Sequence, residues 1–329
     1  MRRGFLLGKF LPPHAGHEFM SRVATSLCDE LTILVCSLPD DPIPGSKRHE
    51  WMRALFPGSR VLHHDRPVPQ EPSQHPDFWR IWQGICKSAH PEPIDCVFGS
   101  ENYVVRLAAE LGAEPTIIDR ERIGFPVSGT AVRANPYRHW PMIPGPVRSW
   151  YQKRVVMFGA ESTGKTSLGA ALARAFGTVL VPEYGRTHDA IRHGERWTSR
   201  DFDLIRERQT AMRKAAAWNA GPILVEDTDA YLTDVWQAML MGTPLAVSAS
   251  IEPADLYLFL GPDLPWENDG TRYWEDPQAR SSFDHLCSMM LTTIGANQVR
   301  ISGSWDERLT SCGASISLHF PDVLVHTSR

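Results

Sequence analysis

A chain of 329 residues is long enough for two domains of ordinary size, each able to bury its own core. Apolar residues at 42% and charged residues at 22% describe a soluble globular protein, and a formal charge of −4 argues against a general nucleic-acid binder while leaving room for local basic pockets. Six scattered cysteines, with no CxxC pair and no zinc spacing, read as reduced thiols of a cytoplasmic protein, and no apolar run is long enough to span a bilayer.

Residues 4–10 are apolar and predict a first strand; Lys9 interrupts the run too early for a signal peptide. The strand runs into Gly8-Lys9-Phe10-Leu11-Pro12-Pro13-His14-Ala15-Gly16-His17, and a helix is expected over 18–30. Two imidazoles three residues apart at a helix start can both face an anion held there. Alone, such a pair would be ordinary loop histidines; the whole string after a first strand is what distinguishes it. Strands at 31–37 and 60–64 flank a helix over 46–56 that carries Arg48 and Trp51, and a proline-rich loop follows at 66–76. Phe78, Ile81, Trp82 and Ile85 mark an amphipathic helix whose aromatics belong to the core. A strand over 96–100 enters Gly99-Ser100-Glu101-Asn102-Tyr103 and a helix to Leu111, and another strand spans 115–119. Then comes Phe125-Pro126-Val127-Ser128-Gly129-Thr130-Ala131-Val132-Arg133, which opens a helix with Ser128 as N-cap. It reads either as an ordinary capped helix or as a second phosphate cradle of Ser128, Gly129, Thr130 and Arg133. Residues 134–153, with four prolines and four aromatics, form a packed connector.

The second half opens on an apolar strand over 155–158, the loop Gly159-Ala160-Glu161-Ser162-Thr163-Gly164-Lys165-Thr166, and a helix to Phe176. This is Walker A spacing between a strand and a helix. Backbone N–H groups from Gly159 to Ser167, among them those of Glu161, Ser162, Thr163 and Gly164, can wrap a polyphosphate; Lys165 reaches the outer phosphates and Thr166 ligates magnesium. A strand over 178–181 leads to Glu183, Tyr184 and Arg186, placed where α/β folds put substrate groups. The charges on a long helix over 201–219 are a solvated face. A buried strand over 222–226 delivers Asp227, Thr228 and Asp229 in a Walker B pattern. Asp227 is assigned to magnesium, directly or through water, with general base as the second possibility; Asp229 joins the substrate set. Tyr231 and Trp236 either stack on a flat base or pack. After a strand over 255–260, the loop 261–272 has glycine hinges and carries Arg272, suited to neutralising a transferring phosphoryl group with Arg280 in reserve. A last strand over 299–303 ends in a turn at 304–308 that could hold adenine.

The string Gly-x-Phe-x-Pro-x-His-x-Gly-His resembles the signature of the HxGH nucleotidyltransferase superfamily. The chemistry agrees with it: adenylyl transfer to a phosphate needs aligned phosphates and charge stabilisation as pyrophosphate leaves, and His14, His17 and Lys9 are suitable residue types. Together with Gly-Ser-Glu-x-Tyr, Phe-Pro-x-Ser-Gly-Thr-x-x-Arg and the later Pro-Trp-x-x-Asp-Gly-x-Arg, it is similar in order and spacing to the NadR family over nearly the whole chain. That family fuses an NMN adenylyltransferase to a ribosylnicotinamide kinase. The resemblance implies an α/β protein of two doubly wound parallel-sheet domains, an HxGH nucleotidyltransferase Rossmann-like domain over 1–150 and a P-loop kinase domain over 151–329. It also implies nucleotide contacts at Gly8, Phe10, Gly16, Ser100 and Glu101, a substrate contact at Trp236, and ATP with Mg2+. The implied partners are ribosylnicotinamide, NMN and NAD, without nucleic acid or membrane and with a homo-oligomer allowed. Some members carry an N-terminal helix-turn-helix; this chain opens on the catalytic strand, so a DNA-binding role is not implied. Rival readings are a coenzyme A pathway fusion (phosphopantetheine adenylyltransferase plus dephospho-CoA kinase) and a nucleotide-sensing regulator without turnover. The reading requires the two imidazoles to border a cavity and the Lys165 ammonium to reach solvent.

Overall fold

Long apolar runs with both faces covered are what parallel strands require, and they set the architecture here. The computed structural model describes residues 1–247, 252–266 and 273–324. The chain divides into two compact units, Met1–Val147 and Arg148–Arg329. Each is α/β, with helices packed around its own five-stranded parallel sheet.

In the first unit, β1 (Arg3–Gly8), β2 (Glu30–Cys36), β3 (Arg60–His64), β4 (Cys96–Gly99) and β5 (Glu114–Ile117) run in the order β3-β2-β1-β4-β5. Strands β2 and β4 are buried almost throughout, as the central strands of such a sheet must be. The order reverses between β1 and β4, which is where open α/β sheets place ligands. The helix after β1 spans Ala15–Leu27, three residues ahead of the expected start. The Glu18 N–H already donates to the His14 carbonyl at 3.0 Å, so His14 occupies the N-cap position and His17 lies in the first turn.

In the second unit, β6 (Lys153–Phe158), β7 (Leu180–Val181), β8 (Ile223–Glu226), β9 (Leu256–Leu260) and β10 (Gln298–Ile301) run in the order β10-β9-β6-β8-β7. Strand β7 is shorter than the pattern predicts. The Thr178 hydroxyl donates to the Ile223 carbonyl (2.6 Å) and accepts from the Gly221 N–H (2.9 Å), so a side chain occupies the place of ladder bonds. Among the helices not anticipated, two lie late in the chain. Pro277–Thr293 starts on an Asp276 cap that accepts from the Ala279 N–H at 2.9 Å. Trp305–His319 starts on a Ser304–Glu307 capping box, so 304–308 is a helix start rather than a free turn.

One arginine without exposed surface fixes the loops above each sheet. Arg48 donates to the carbonyls of Lys9 (2.6 Å) and Cys36 (3.3 Å) and to the Asp41 carboxylate (2.6 Å). Arg308 donates to the carbonyls of Gly303 (2.7 Å), Gly261 (3.1 Å) and Thr163 (3.2 Å) and to Asp263. Removing one partner of a buried, hydrogen-bonded ion pair strands the other and costs about 3–5 kcal/mol. Arg48→Met is therefore expected to destabilise the protein by about that amount; an unchanged urea unfolding profile would show that Arg48 bears no such load.

Candidate active sites

In the first unit the chain leaves β1 and turns back at Leu11, whose carbonyl is the anchor of the site. Arg133 donates its guanidinium to that carbonyl and to the Thr130 hydroxyl (3.3 Å). A Cβ on Gly129 would overlap the same carbonyl, so only glycine lets the short helix Gly129–Ala134 approach this closely. The Ser128 hydroxyl accepts from the Ala131 N–H at 3.1 Å; it is a helix cap, and only its proton is left to offer an anion.

His14 and His17 stand ring to ring, with centroids 3.8 Å apart, and the Nδ1 atom of each is buried without a partner. Burial, together with the nearby Arg122 guanidinium, pushes His14 down to about 4. His17 is held well below its ordinary value by burial, then by His14 and Arg122. Both imidazoles are neutral at neutral pH. Gly16 makes room for the pair, since a Cβ there would lie 3.2 Å from the His14 ring. Phe10, assigned above to nucleotide, is instead buried with its ring edge-on to His17 at 5.1 Å, a support beneath the imidazole; Gly8 packs against that ring. Lys9 is exposed, Ser100 half-buried, and the exposed Glu101 pairs with Arg122 at 3.7 Å. Arg122 was missed because it lies in a charged Asp119-Arg120-Glu121-Arg122 run that reads as a surface turn.

The Walker loop of the second unit follows β6. Gly159 has φ +139°, and a Cβ there would fall 2.6 Å from the Leu260 carbonyl, so both backbone angle and space demand glycine. Ser162 takes φ +57°, and its hydroxyl is buried without a partner; Thr163 donates to the Ala160 carbonyl at 2.8 Å. The Lys165 ammonium differs from expectation: the residue is 4% exposed, with its ammonium donating to the carbonyls of Gly159 (3.0 Å) and Ala160 (2.8 Å). It nevertheless lines a cleft, and burial lowers its pKa. The exposed Thr166 hydroxyl donates to one Asp227 oxygen at 2.7 Å, while the other Asp227 oxygen is buried with no partner. Burial, then Glu183, raises the Asp227 carboxyl, and Glu183 itself bonds Arg186 at 3.0 Å. Ser167 is exposed at the helix start.

Lys165, Glu183 and Arg186 share that cleft with Glu161, Trp197, Trp236 and Tyr273. Trp236 stacks on Trp274 (5.4 Å) and meets Tyr273 edge-on (6.0 Å). The Trp197 indole donates to the Tyr273 hydroxyl at 3.1 Å, and Arg192 lies 3.6 Å above the Trp197 ring. Trp236 thus faces the cleft, whereas Tyr231 is core. Trp197 and Tyr273 escaped the sequence reading because their contact spans 76 residues.

Three further assignments change. Asp229 is a buried N-cap accepting from the Leu232 N–H (3.0 Å) and the Tyr257 hydroxyl (2.7 Å), so its carboxylate serves the fold. Tyr184 opens a helix and accepts from Arg208 at 2.9 Å, away from the cleft lining. Glu161 keeps its place in the loop, but its carboxylate is engaged with the backbone: its two oxygens accept N–H groups from Trp274 at 2.6 Å and Tyr273 at 2.9 Å. Arg280 is 9% exposed and donates to the carbonyls of Leu264 (3.2 Å) and Pro262 (3.3 Å). Arg272 lies outside the described residues.

The chain is similar to known proteins in both units. A family model described as an AAA domain matches residues 154–308. The trifunctional NAD biosynthesis/regulator protein NadR of Escherichia coli (strain K12) is 28% identical, the match covering 94% of this chain and 81% of that protein. A nicotinamide-nucleotide adenylyltransferase of Methanosphaerula palustris is 31% identical, over 40% of this chain and 78% of that protein. A crystal structure of a NadR protein in complex with NR shares the fold, with a TM-score of 0.73, 22% identity and coverage of 97% and 96%. With its two imidazoles at the end of β1, the chain belongs to the nicotinamide-nucleotide adenylyltransferase family, in the two-unit form that NadR represents.

Proposed function

We propose that the protein is a bifunctional enzyme of NAD salvage. The second unit phosphorylates the 5′-hydroxyl of ribosylnicotinamide with ATP to give NMN, and the first transfers AMP from ATP to NMN, giving NAD and pyrophosphate. What supports this reading is the pairing of His14 with His17 at a helix start in the first unit and, in the second, a Walker loop beside a cleft walled by indoles and carboxylates. A flat pyridinium cation suits such a wall, because indole faces attract a cation and the Arg186 and Arg192 guanidiniums nearby are bound to Glu183 and Asp189. The six free thiols fit a reducing cytoplasm, and among the described residues no helix is long and apolar enough to cross a membrane.

In the kinase step, loop N–H groups and Lys165 would hold the transferring end of ATP, the ammonium exchanging its carbonyls for phosphate oxygens. Thr166 and the unpartnered oxygen of Asp227 fit a Mg2+ site completed by phosphate. A magnesium ion held there would supply positive charge to offset the negative charge that develops during transfer. Glu183, whose charge acts on the Asp227 carboxyl, would take the hydroxyl proton. In the adenylyl step His14, His17, Lys9 and Arg133 would align the triphosphate and stabilise departing pyrophosphate while the NMN phosphate attacks in line.

Lys165→Ala is expected to lower NMN formation by about 10²–10³-fold, the usual cost of removing one transition-state donor, and to leave NAD formation from supplied NMN nearly intact. His17→Ala should do the reverse. Chromatography of products from each single substrate separates these outcomes; loss of both activities from either change would refute independent sites. A second expectation concerns pH. With His14 near 4 in the free protein, its imidazole is neutral at pH 6.5, and a bound triphosphate favours the charged form and raises its pKa. ATP binding to the first unit should therefore take up protons near that pH, and His14→Asn should reduce the uptake. Calorimetry in buffers of different ionisation enthalpy, with Lys165→Ala isolating the first unit, reads this directly. Equal heats in all buffers would contradict it.

A further inference from the structure

We infer that Glu161 is a positioning residue that links the Walker loop to the wall of the substrate cleft, so that ATP and the nucleoside strengthen each other's binding. The inference rests on the kinase reading of the second unit. Glu161 is the third residue of the loop, and its backbone is part of the phosphate cradle. The residue is 3% exposed, and its carboxylate accepts the N–H groups of Trp274 and Tyr273 across more than 110 residues of sequence. Bonds of N–H to an ionised oxygen are roughly twice as strong as neutral ones, and two on adjacent residues fix a peptide in both position and orientation.

The fixed peptide carries the wall. Tyr273 lines the cleft, meets Trp236 edge-on and accepts from the Trp197 indole; Trp274 stacks on Trp236. A shift of the Glu161 backbone therefore moves the surface on which a flat base would rest. Conversely, a base that orders the wall orders Glu161 and, with it, the N–H groups that meet phosphate. Binding couplings of this kind are reciprocal and commonly amount to 5–150-fold. A glutamate whose role was confined to the phosphates would direct its carboxylate elsewhere, because a second negative charge beside a polyphosphate repels it. Here the charge is spent on peptide N–H groups.

The test is a double titration of the full-length protein by calorimetry. Ribosylnicotinamide is titrated with and without the non-hydrolysable analogue AMP-PNP, in wild type and in Glu161→Gln. Glutamine keeps the size but presents an amide N–H2 to one of the two peptide N–H groups. Wild type is expected to bind the nucleoside about tenfold more tightly with AMP-PNP present, and Glu161→Gln to reduce that gain to less than about twofold. The same variant should raise KM for the nucleoside more than it lowers kcat. Unaltered coupling in Glu161→Gln overturns the inference, as does the absence of coupling in wild type that binds both ligands. A wild type that binds AMP-PNP but no ribosylnicotinamide refutes the kinase reading itself. Should Glu161→Gln fail to fold by circular dichroism, Glu161→Asp, which keeps the charge and shortens the reach, is read by the same criteria.

Discussion

Backbone N–H groups can face a phosphate only where the neighbouring carbonyls are turned away and held, because an unmatched carbonyl beside an anion repels it and a buried one without a donor is costly. In this chain the carbonyls are held by cations. Lys9 and Leu11 give theirs to Arg48 and Arg133, respectively. Gly159 and Ala160 give theirs to Lys165, and Thr163, Gly261 and Gly303 to Arg308. The close approach at Gly129, the left-handed turn at Ser162 and the placement of His14 over His17 are built on loops fixed in this way.

The four cations fall into two kinds. Arg48 and Arg308 have no exposed surface and each also bonds a carboxylate, Asp41 or Asp263. Their bonds are permanent, since opening one strands a buried charge. Arg133 and Lys165 bond carbonyls, and in the case of Arg133 a hydroxyl, at the edge of the candidate sites. A charge on a neutral carbonyl is worth about 1.5–3 kcal/mol, and a phosphate oxygen in the same place offers a charge-assisted bond instead. On the proposed reading, the second pair would exchange these carbonyls for phosphate oxygens when nucleotide binds.

What the sequence made legible was whatever is local. The Walker loop, the His14–His17 string and the parallel strands are contiguous patterns whose physics is contained within about ten to twenty residues, and they led to the fold and to both candidate sites. What it hid was set by long-range pairing. Glu161 sits inside a phosphate loop, yet its carboxylate's partners at 273 and 274 lie far along the chain, so spacing spoke only for its backbone. Arg308 read as part of an adenine turn because nothing nearby reveals that its guanidinium reaches back to Thr163. Asp229 was misread for a different reason. An acid after a buried strand can be a substrate ligand or an N-cap, and the choice was made by Tyr257, whose hydroxyl claims the second oxygen. The helix Pro277–Thr293 was legible in principle, from Asp276 followed by proline, and was passed over.

The electrostatic contrast between the two units follows the proposed chemistry. Around the substrate cleft of the second unit, Glu183 and Asp189 stand among indoles, and cations are tied down: Arg192 lies over Trp197 and bonds Asp189, and Arg186 bonds Glu183. Such a surface favours a flat cation without a phosphate. In the first unit Lys9, Arg122, Arg133 and two ionisable imidazoles gather near the end of β1, with Glu101 as the paired acid. That set favours anions. Adding a phosphate to a pyridinium nucleoside converts a molecule suited to the first kind of surface into one suited to the second. On this reading the charge of the product, more than its shape, decides which unit holds it next.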